Sequence, residues 1–479
     1  FVMGLAKNFA YKTTLNFFSI ILPVLIMPYV FRVLNPESVG LYEYSLSIVS
    51  YFSAFGLFGF YLYGLRVISI NRDNPHVVSK LYNDLFFLGI LTNLIALVSF
   101  LCYVLIAVGS PSLRYIMLIF SFNIIANIFY IEWINEAFEK YKFISIKTII
   151  VRLISIALIL LLVRKPDDIY LYAIITVTSL ILNNAASFIY SSKYLKLDLK
   201  AVRIKEHLIP LFMIFVLNNS FLLYGNCDKV VLGANVGKES VAYYSVAQKA
   251  ISVIYTLLMG LTAVSYPRLA YLLNQDYRLY KSTLKNIISN TMFALIPASI
   301  GLALLSKEAI LLLAGNQYVL SIPSLQVGSI YLIITAFVSI MNNHVMLVQN
   351  KEKICALLFL IFGIANTLID VLLAKRLTPS IAFATTALAE LLLFVTMLIY
   401  AKRHFDLFSE ILNKQTLKYL VISLAFIPII LIERKLFGYS IIVILGVSIV
   451  SCSAFYFLLL YFTKDQVLLS LIQRYRNKA

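Results

Sequence analysis

In IIVRLISIALILLLV, residues 149–163, one arginine interrupts an otherwise apolar run. A guanidinium in such a place needs something to answer its charge, and its planar fork suits an anion that can offer two oxygens. Lys249, in SVAQKAISVIY (245–255), is a second cation of this kind, about eight residues or roughly 12 Å into an apolar block at 1.5 Å per residue. Arg32 and Arg66 stand at the ends of apolar blocks, where surface anchoring and ligand binding are equally open. Among the acids, Glu390 in FATTALAELLLFV has no basic neighbour in the sequence. It could be held protonated, pair with an interior cation such as Lys249, or bind a coupling ion, Na+ or H+. Asp370 has Lys375 and Arg376 within reach along the chain, which favours a structural partner, and Glu132 is a further deep acid. Asp228 lies with the acids of the outer side and is the third candidate for ion coupling. Asparagines such as Asn93, Asn123, Asn127 and Asn184 sit in the same apolar blocks. They could meet hydroxyls of a ligand or bond between helices, the commoner use. The four cysteines and four histidines are scattered without metal or redox spacing, and no HExxH, GxSxG, P-loop or Rossmann pattern is present.

The elements that position these residues follow from composition. The 479 residues are 61% hydrophobic and 13% charged, where a soluble chain has about a quarter charged. Fourteen apolar blocks are long enough for a bilayer, at about 20 residues each: 13–31, 41–63, 83–108, 114–134, 143–163, 169–190, 208–226, 241–264, 287–305, 325–348, 354–374, 380–400, 418–432 and 440–462. Such spans must be helical, because hydrocarbon leaves no water to satisfy the backbone. The fold class is therefore all-α integral membrane with about fourteen spans. No cleavable leader is expected, since Leu-Asn-Pro follows the first run. With the N-terminus inside, 27 of the 40 lysines and arginines, Lys147 among them, fall on inner segments and 11 on outer ones. The positive-inside rule then places both termini in the cytoplasm. The net charge of +18 is read as topology and attraction to anionic headgroups, with no nucleic-acid partner. Tyr130 and Trp133 read as an aromatic belt at the inner end of the fourth span. The connections are too short for a catalytic domain, so a polymerase or ligase is disfavoured, and transport is the expected class.

A repeat organises the blocks. VLNPESVGLYEY (33–44) and VLGANVGKESVAYYSV (231–246) share Val-Leu, then Glu-Ser-Val followed by Gly-Leu-Tyr or Ala-Tyr-Tyr. They lie about 200 residues apart. Six spans separate them, so both halves enter the membrane in the same sense and are expected to be related by an axis along the membrane normal. The expected domains are an N-lobe at 1–200, a C-lobe at 201–405, and two added helices with a tail at 406–479.

MPYVFRVLNPESVGLYEYSLSIVSYF (27–52), YGLRVISINRDN (63–74) and GNCDKVVLGANVGKESVAYYSVAQK (225–249) resemble the polysaccharide-transporter family. These are the Wzx-type flippases of lipid-linked oligosaccharides, in the superfamily that includes MATE exporters and lipid II flippases. Pro28-Tyr29, Arg32-Val33-Leu34-Asn35-Pro36 (with Asn35 where the family usually has Gly), Gly40-Leu41-Tyr42, Tyr63-Gly64-Leu65-Arg66 and Tyr266-Pro267-Arg268 carry the likeness. Around 366–390 the match is looser, with Ile381-Ala382-Phe383 where the family has Gly-Ala before Ala-Thr, so family contacts are not carried over there. The resemblance implies twelve core helices in two lobes, an undecaprenyl-diphosphate-linked oligosaccharide as substrate, and polysaccharide polymerase and chain-length machinery as partners in the bacterial cytoplasmic membrane. Arg152 and Lys249, with Arg66 and Arg32, would then form a cationic cavity for the diphosphate. A MATE-type exporter of organic cations is the alternative, and should line its cavity with carboxylates.

Overall fold

Helices in lipid satisfy their own backbone except at the ends, where four N–H groups need another partner. The chain supplies it with a side-chain oxygen followed by proline, whose ring suits the first helical position. Asn35 accepts from the Ser38 N–H at 2.9 Å, Asn74 from Val77 at 3.3 Å and Thr378 from Ile381 at 3.2 Å, each directly before a proline. Asn35, the departure from the family pattern, is thus a helix cap.

The computed structural model describes residues 2–195, 202–219, 224–262, 265–438 and 440–476. The helices are α1 (Val2–Val33), α2 (Pro36–Leu57), α3 (Phe60–Asn71), α4 (Pro75–Ala107), α5 (Pro111–Ile128), α6 (Glu132–Ala137), α7 (Tyr141–Leu162), α8 (Ile169–Ser191), α9 (Lys205–Asn219), α10 (Gly225–Asn235) and α11 (Lys238–Thr262). Then follow α12 (Tyr266–Gln275), α13 (Tyr277–Leu304), α14 (Ser306–Leu313), α15 (Ile322–Ile340), α16 (Glu352–Leu372), α17 (Pro379–Phe405), α18 (Phe408–Ile411), α19 (Lys414–Leu424), α20 (Phe426–Phe437), α21 (Ile441–Phe462) and α22 (Gln466–Arg476). Among the described residues, 11 helical segments are long and apolar enough to cross a membrane. The protein is an all-helical, multi-pass membrane protein.

The chain divides into two compact units, the first ending at Ala242 and the second beginning at Tyr243. In the first, α2 packs against α4 and α5, α5 against α8, α7 against α1 and α8, and α3 against α6. In the second, α15 packs between α13 and α17, α16 lies on α17, and α13 also carries α19.

The expected count of fourteen spans is not reached in this set. Block 208–226 runs into residues 220–223 and block 241–264 into 263–264, both outside the described residues. Block 418–432 is two short helices, α19 and α20, meeting at Ala425. Pro428 explains the break: its ring clashes with the carbonyl four residues back, that of Leu424, where α19 ends.

Two expected spans are also interrupted. Block 41–63 breaks between α2 and α3 at Phe58 and Gly59, with φ of 40° and 81°. Glycine takes such a φ without a Cβ penalty. The carbonyl that the break frees on Gly56 accepts from Thr92 Oγ1 at 2.7 Å and Asn93 Nδ2 at 3.0 Å. Block 114–134 breaks between α5 and α6 at 129–131. Trp133, just past this break, is only 2% exposed, so it is no aromatic belt. Its ring lies on Gly64 of α3, where an added Cβ would stand 2.4 Å from Trp133 Cε3. Gly64→Val is therefore expected to lower Tm by several degrees, corresponding to about 1–3 kcal/mol of overpacking. Unchanged thermal unfolding in detergent would contradict that packing.

Candidate functional site

α7 carries Lys147 and Arg152, five residues apart, and their surroundings differ. The positive-inside reading places Lys147 on an inner segment, but its side chain lies in the protein interior, 8% exposed. Its ammonium donates to both oxygens of Glu132 at 2.9 and 3.1 Å, to Ser187 Oγ at 2.6 Å and to the Asn183 carbonyl at 3.2 Å. The charge is fully answered from α6 and α8. Arg152, one to two turns further along, is half-buried. Its Nη1 donates to the Ser19 carbonyl of α1 at 3.1 Å, and among the described residues no carboxylate lies within ion-pair distance of it. This cation therefore has a main-chain carbonyl beside it and, among the described residues, no counter-ion.

Lys249 is half-buried on α11, Arg32 is exposed at the end of α1, and Arg66, expected at the end of a span, is exposed midway along α3. Glu390 of α17 is fully buried. Tyr331 donates to its Oε1 at 2.9 Å, and Thr335, one turn along α15, also faces the carboxyl. The expected pairing with Lys249 is not found, since no cation among the described residues reaches Glu390. Asp370 is buried and accepts from Thr385 Oγ1 at 2.6 Å, while Lys375 and Arg376 are exposed.

Within the first unit, the 33–44 motif packs on residues 233–239 of its counterpart. A Cβ on Gly40 would stand 1.8 Å from the Lys238 carbonyl, and one on Gly233 would stand 2.1 Å from the Tyr44 ring. Both glycines are required by this approach of α2 to α10 and the start of α11. Lys238 Nζ stands 3.3 Å from the Tyr44 ring centroid, a cation–π placement. Burial there pushes its pKa down to about 8. Beside it Lys229 Nζ pairs with Glu43 Oε2 at 3.1 Å, both nearly inaccessible, and Asp228 is fully buried. Reading along the chain missed this pair: Lys229 counted as an outer charge, and Glu43 passed unnoticed 186 positions away.

Two cavities complete the picture. One in the first unit, about 680 Å³, is bounded by Ser50 and Ser53 of α2, Tyr61 of α3, Asn123 and Asn127 of α5, and Tyr130. Another in the second unit, about 440 Å³, lies among α13, α20 and α21 and is almost wholly apolar, with Phe293, Pro297, Ile430, Leu445 and Phe457 on its walls. Nearby, Arg434 of α20 holds Glu308 with two bonds, at 2.9 and 2.7 Å.

Residues 5–273 match the family model described as "Polysaccharide biosynthesis protein". The "Putative O-antigen transporter" of Escherichia coli (strain K12) is 24% identical over 414 residues, 84% of this chain and 98% of that one. That of Shigella dysenteriae is 23% identical over 351 residues, 72% of this chain and 87% of that one. Among solved structures, the lipid II flippase MurJ in its inward closed conformation superposes with a TM-score of 0.71 at 17% identity, covering 95% of this chain and all of MurJ. An inward-facing MATE transporter of the MOP superfamily gives 0.60 at 8% identity, over 82% of this chain and all of that one. With the family match covering more than half of its length, the chain belongs to the polysaccharide biosynthesis protein family.

Proposed function

We propose that the protein is a flippase for lipid-linked oligosaccharides. It carries a polyprenyl diphosphate bearing a sugar repeat unit from the inner to the outer leaflet of the bacterial cytoplasmic membrane by alternating access, with both termini cytoplasmic. Polymerase and chain-length machinery would then take up the product. The observation that supports this reading most is Arg152, a half-buried guanidinium in a spanning helix with no carboxylate partner among the described residues. Intramembrane ionisable groups are costly and mark substrate pathways, and a guanidinium is matched to diphosphate oxygens. Lys249 supplies a second cation. The apolar cavity among α13, α20 and α21 suits an isoprenoid tail, whose hydrocarbon gains by leaving water. The relatives' names agree with a transporter for polysaccharide precursors, and with transport in place of catalysis. An exporter of organic cations is less well supported, because Glu43, Glu132 and Glu308 are each already held by Lys229, Lys147 and Arg434.

The membrane potential can supply direction. Moving two negative charges outward across 100 mV, negative inside, is downhill by about 4–5 kcal/mol. Glu390, buried with two hydroxyls and no cation among the described residues, is the candidate for coupling to H+ or Na+. The test is transfer of a fluorescent polyprenyl-diphosphate oligosaccharide between leaflets of proteoliposomes. The rate should rise when a valinomycin-set potential is made negative on the cytoplasmic side. A rate that ignores potential but needs a proton or sodium gradient, with that need removed by Glu390→Gln, would replace potential by ion coupling. No leaflet transfer under any gradient would overturn the flippase reading.

A further inference from the structure

The cavity of the first unit differs from the other polar places in its spans. Several other intramembrane amides are committed to the protein. Asn93 donates to the carbonyls of Gly56 and Gly89 at 3.0 and 2.8 Å, Asn184 to that of Ala126 at 2.9 Å, and Asn366 to Thr386 at 3.1 Å. At the cavity, Asn123, Asn127, Ser53 and Tyr130 make no side-chain hydrogen bond among the described residues. Asn123 and Asn127 are four residues apart on α5 and so share one face, and both line the space. Each carboxamide brings two donors and an acceptor oxygen, so together with two hydroxyls they form a surface able both to give and to take hydrogen bonds.

The location is also distinctive. Both interrupted spans end here: Gly59, Phe60, Tyr61 and Leu62 from the α2/α3 break line the cavity, as does Tyr130 from the α5/α6 break. Broken helices at membrane depth occur where they border a protein-lined or hydrated cavity, and they point to binding sites. At about 680 Å³, the space falls within the roughly 300–1,000 Å³ of sites for small ligands. Among the described residues, its lining contains no lysine or arginine. The carboxylate behind it, Glu136, accepts from Tyr61 Oη at 3.0 Å.

We propose that this cavity is a glycan subsite that takes a neutral, hydroxyl-rich sugar ring of the substrate, set apart from the cations that take the diphosphate. The inference rests on the flippase reading and deepens it. Sugar hydroxyls match the paired donors and acceptors of Asn123, Asn127, Ser53 and Tyr130, and the apolar face of a ring can lie on Phe60, Tyr61 or Tyr130. A uronic acid is disfavoured, because its carboxylate would find no cation in the lining and a carboxylate behind it.

The experiment measures equilibrium binding to the full-length protein in nanodiscs of three lipids: undecaprenyl diphosphate alone, the same lipid with a neutral trisaccharide, and the same lipid with a uronate-terminated trisaccharide. Asn123→Leu with Asn127→Leu should weaken the neutral glycolipid on the order of tenfold or more, as expected for several lost hydrogen bonds. The sugarless lipid should be unaffected, which also shows that the variant is folded, and the uronate form should bind wild type more weakly than the neutral one. Equal binding of the neutral glycolipid by variant and wild type, or preference for the uronate form, would overturn the subsite and leave the flippase reading standing. In parallel, free neutral trisaccharide should slow alkylation of an Asn123→Cys variant, read at that position by mass spectrometry. If wild type binds no glycolipid, the flippase reading fails, and this protection then decides the subsite alone: its presence keeps the subsite and its absence removes it.

Discussion

Arg152→Ala is expected to lower the flipping rate at least tenfold while leaving thermal stability unchanged or raised. The two halves of this expectation come from the same geometry. The guanidinium has one carbonyl contact, at 3.1 Å to Ser19, and no carboxylate among the described residues. Its removal therefore strands no partner charge, and it relieves a cost of about 2.5–3.5 kcal/mol for arginine at the centre of a spanning helix. A residue so placed for structural reasons alone would stabilise the fold, whereas one kept for a ligand would not. In the bound state, a hydrogen bond to a charged group contributes about 1.5–3 kcal/mol, and 1.4 kcal/mol is a factor of ten. Arg152→Lys keeps the charge but loses the two-oxygen fork, so it should recover only part of the rate. The measurements are leaflet transfer of the fluorescent glycolipid and Tm of the purified protein. Full transport by Arg152→Ala would show that the side chain merely reaches toward the headgroups. A large fall in Tm would show a structural role instead.

Lys147 should behave in the opposite way. Lys147→Met is expected to destabilise the protein by about 3–5 kcal/mol, because it leaves Glu132 as a buried charge without its counter-ion. Glu132 is held at 2.9 Å by that ammonium and also bonds Ser187. The yield of folded protein should fall sharply. Adding Glu132→Gln, which removes the orphaned charge, should restore most of it, since replacing both members of a buried pair is often close to neutral. Fluorescence-detected size exclusion and thermal unfolding of the two single variants and the double variant form the required cycle. Additive losses in the double variant would mean that the pair is not coupled as the geometry indicates. Loss of transport by a well-folded Lys147→Met would move Lys147 from the structural to the functional cations.

The contrast between these two cations shows where the sequence was legible. Membrane insertion, helicity and most spans are written in local composition, because lipid penalises any unsatisfied backbone and so converts a run of apolar residues directly into a helix. The capped starts at Asn35, Asn74 and Thr378 are equally local, requiring only a side-chain oxygen and a proline. The presence of costly charges at depth, Arg152, Lys249 and Glu390, could also be read from the chain, since depth follows from position within a block. The repeat motifs were visible as sequence, but the close approach at Gly40 and Gly233 was not.

Whether a deep charge is neutralised could not be read in this way, because ion pairing depends on proximity in space. Lys147 meets Glu132 across 15 positions, Lys229 meets Glu43 across 186, and Arg434 meets Glu308 across 126. Lys147 and Arg152 look alike in sequence, yet only packing of α6 and α8 gives one of them a carboxylate. The interruptions at Phe58–Gly59 and at 129–131 were hidden for a related reason. Hydropathy averages over a block, whereas a break is stable only when side chains from another helix, here Thr92 and Asn93, take the freed carbonyl. The uncommitted amides of Asn123 and Asn127 are the clearest case. Their chemistry is plain in the sequence, but only tertiary structure decided that they face a cavity and that Asn93 and Asn184 do not, because an amide's partners are fixed by which neighbouring helix comes within hydrogen-bond reach.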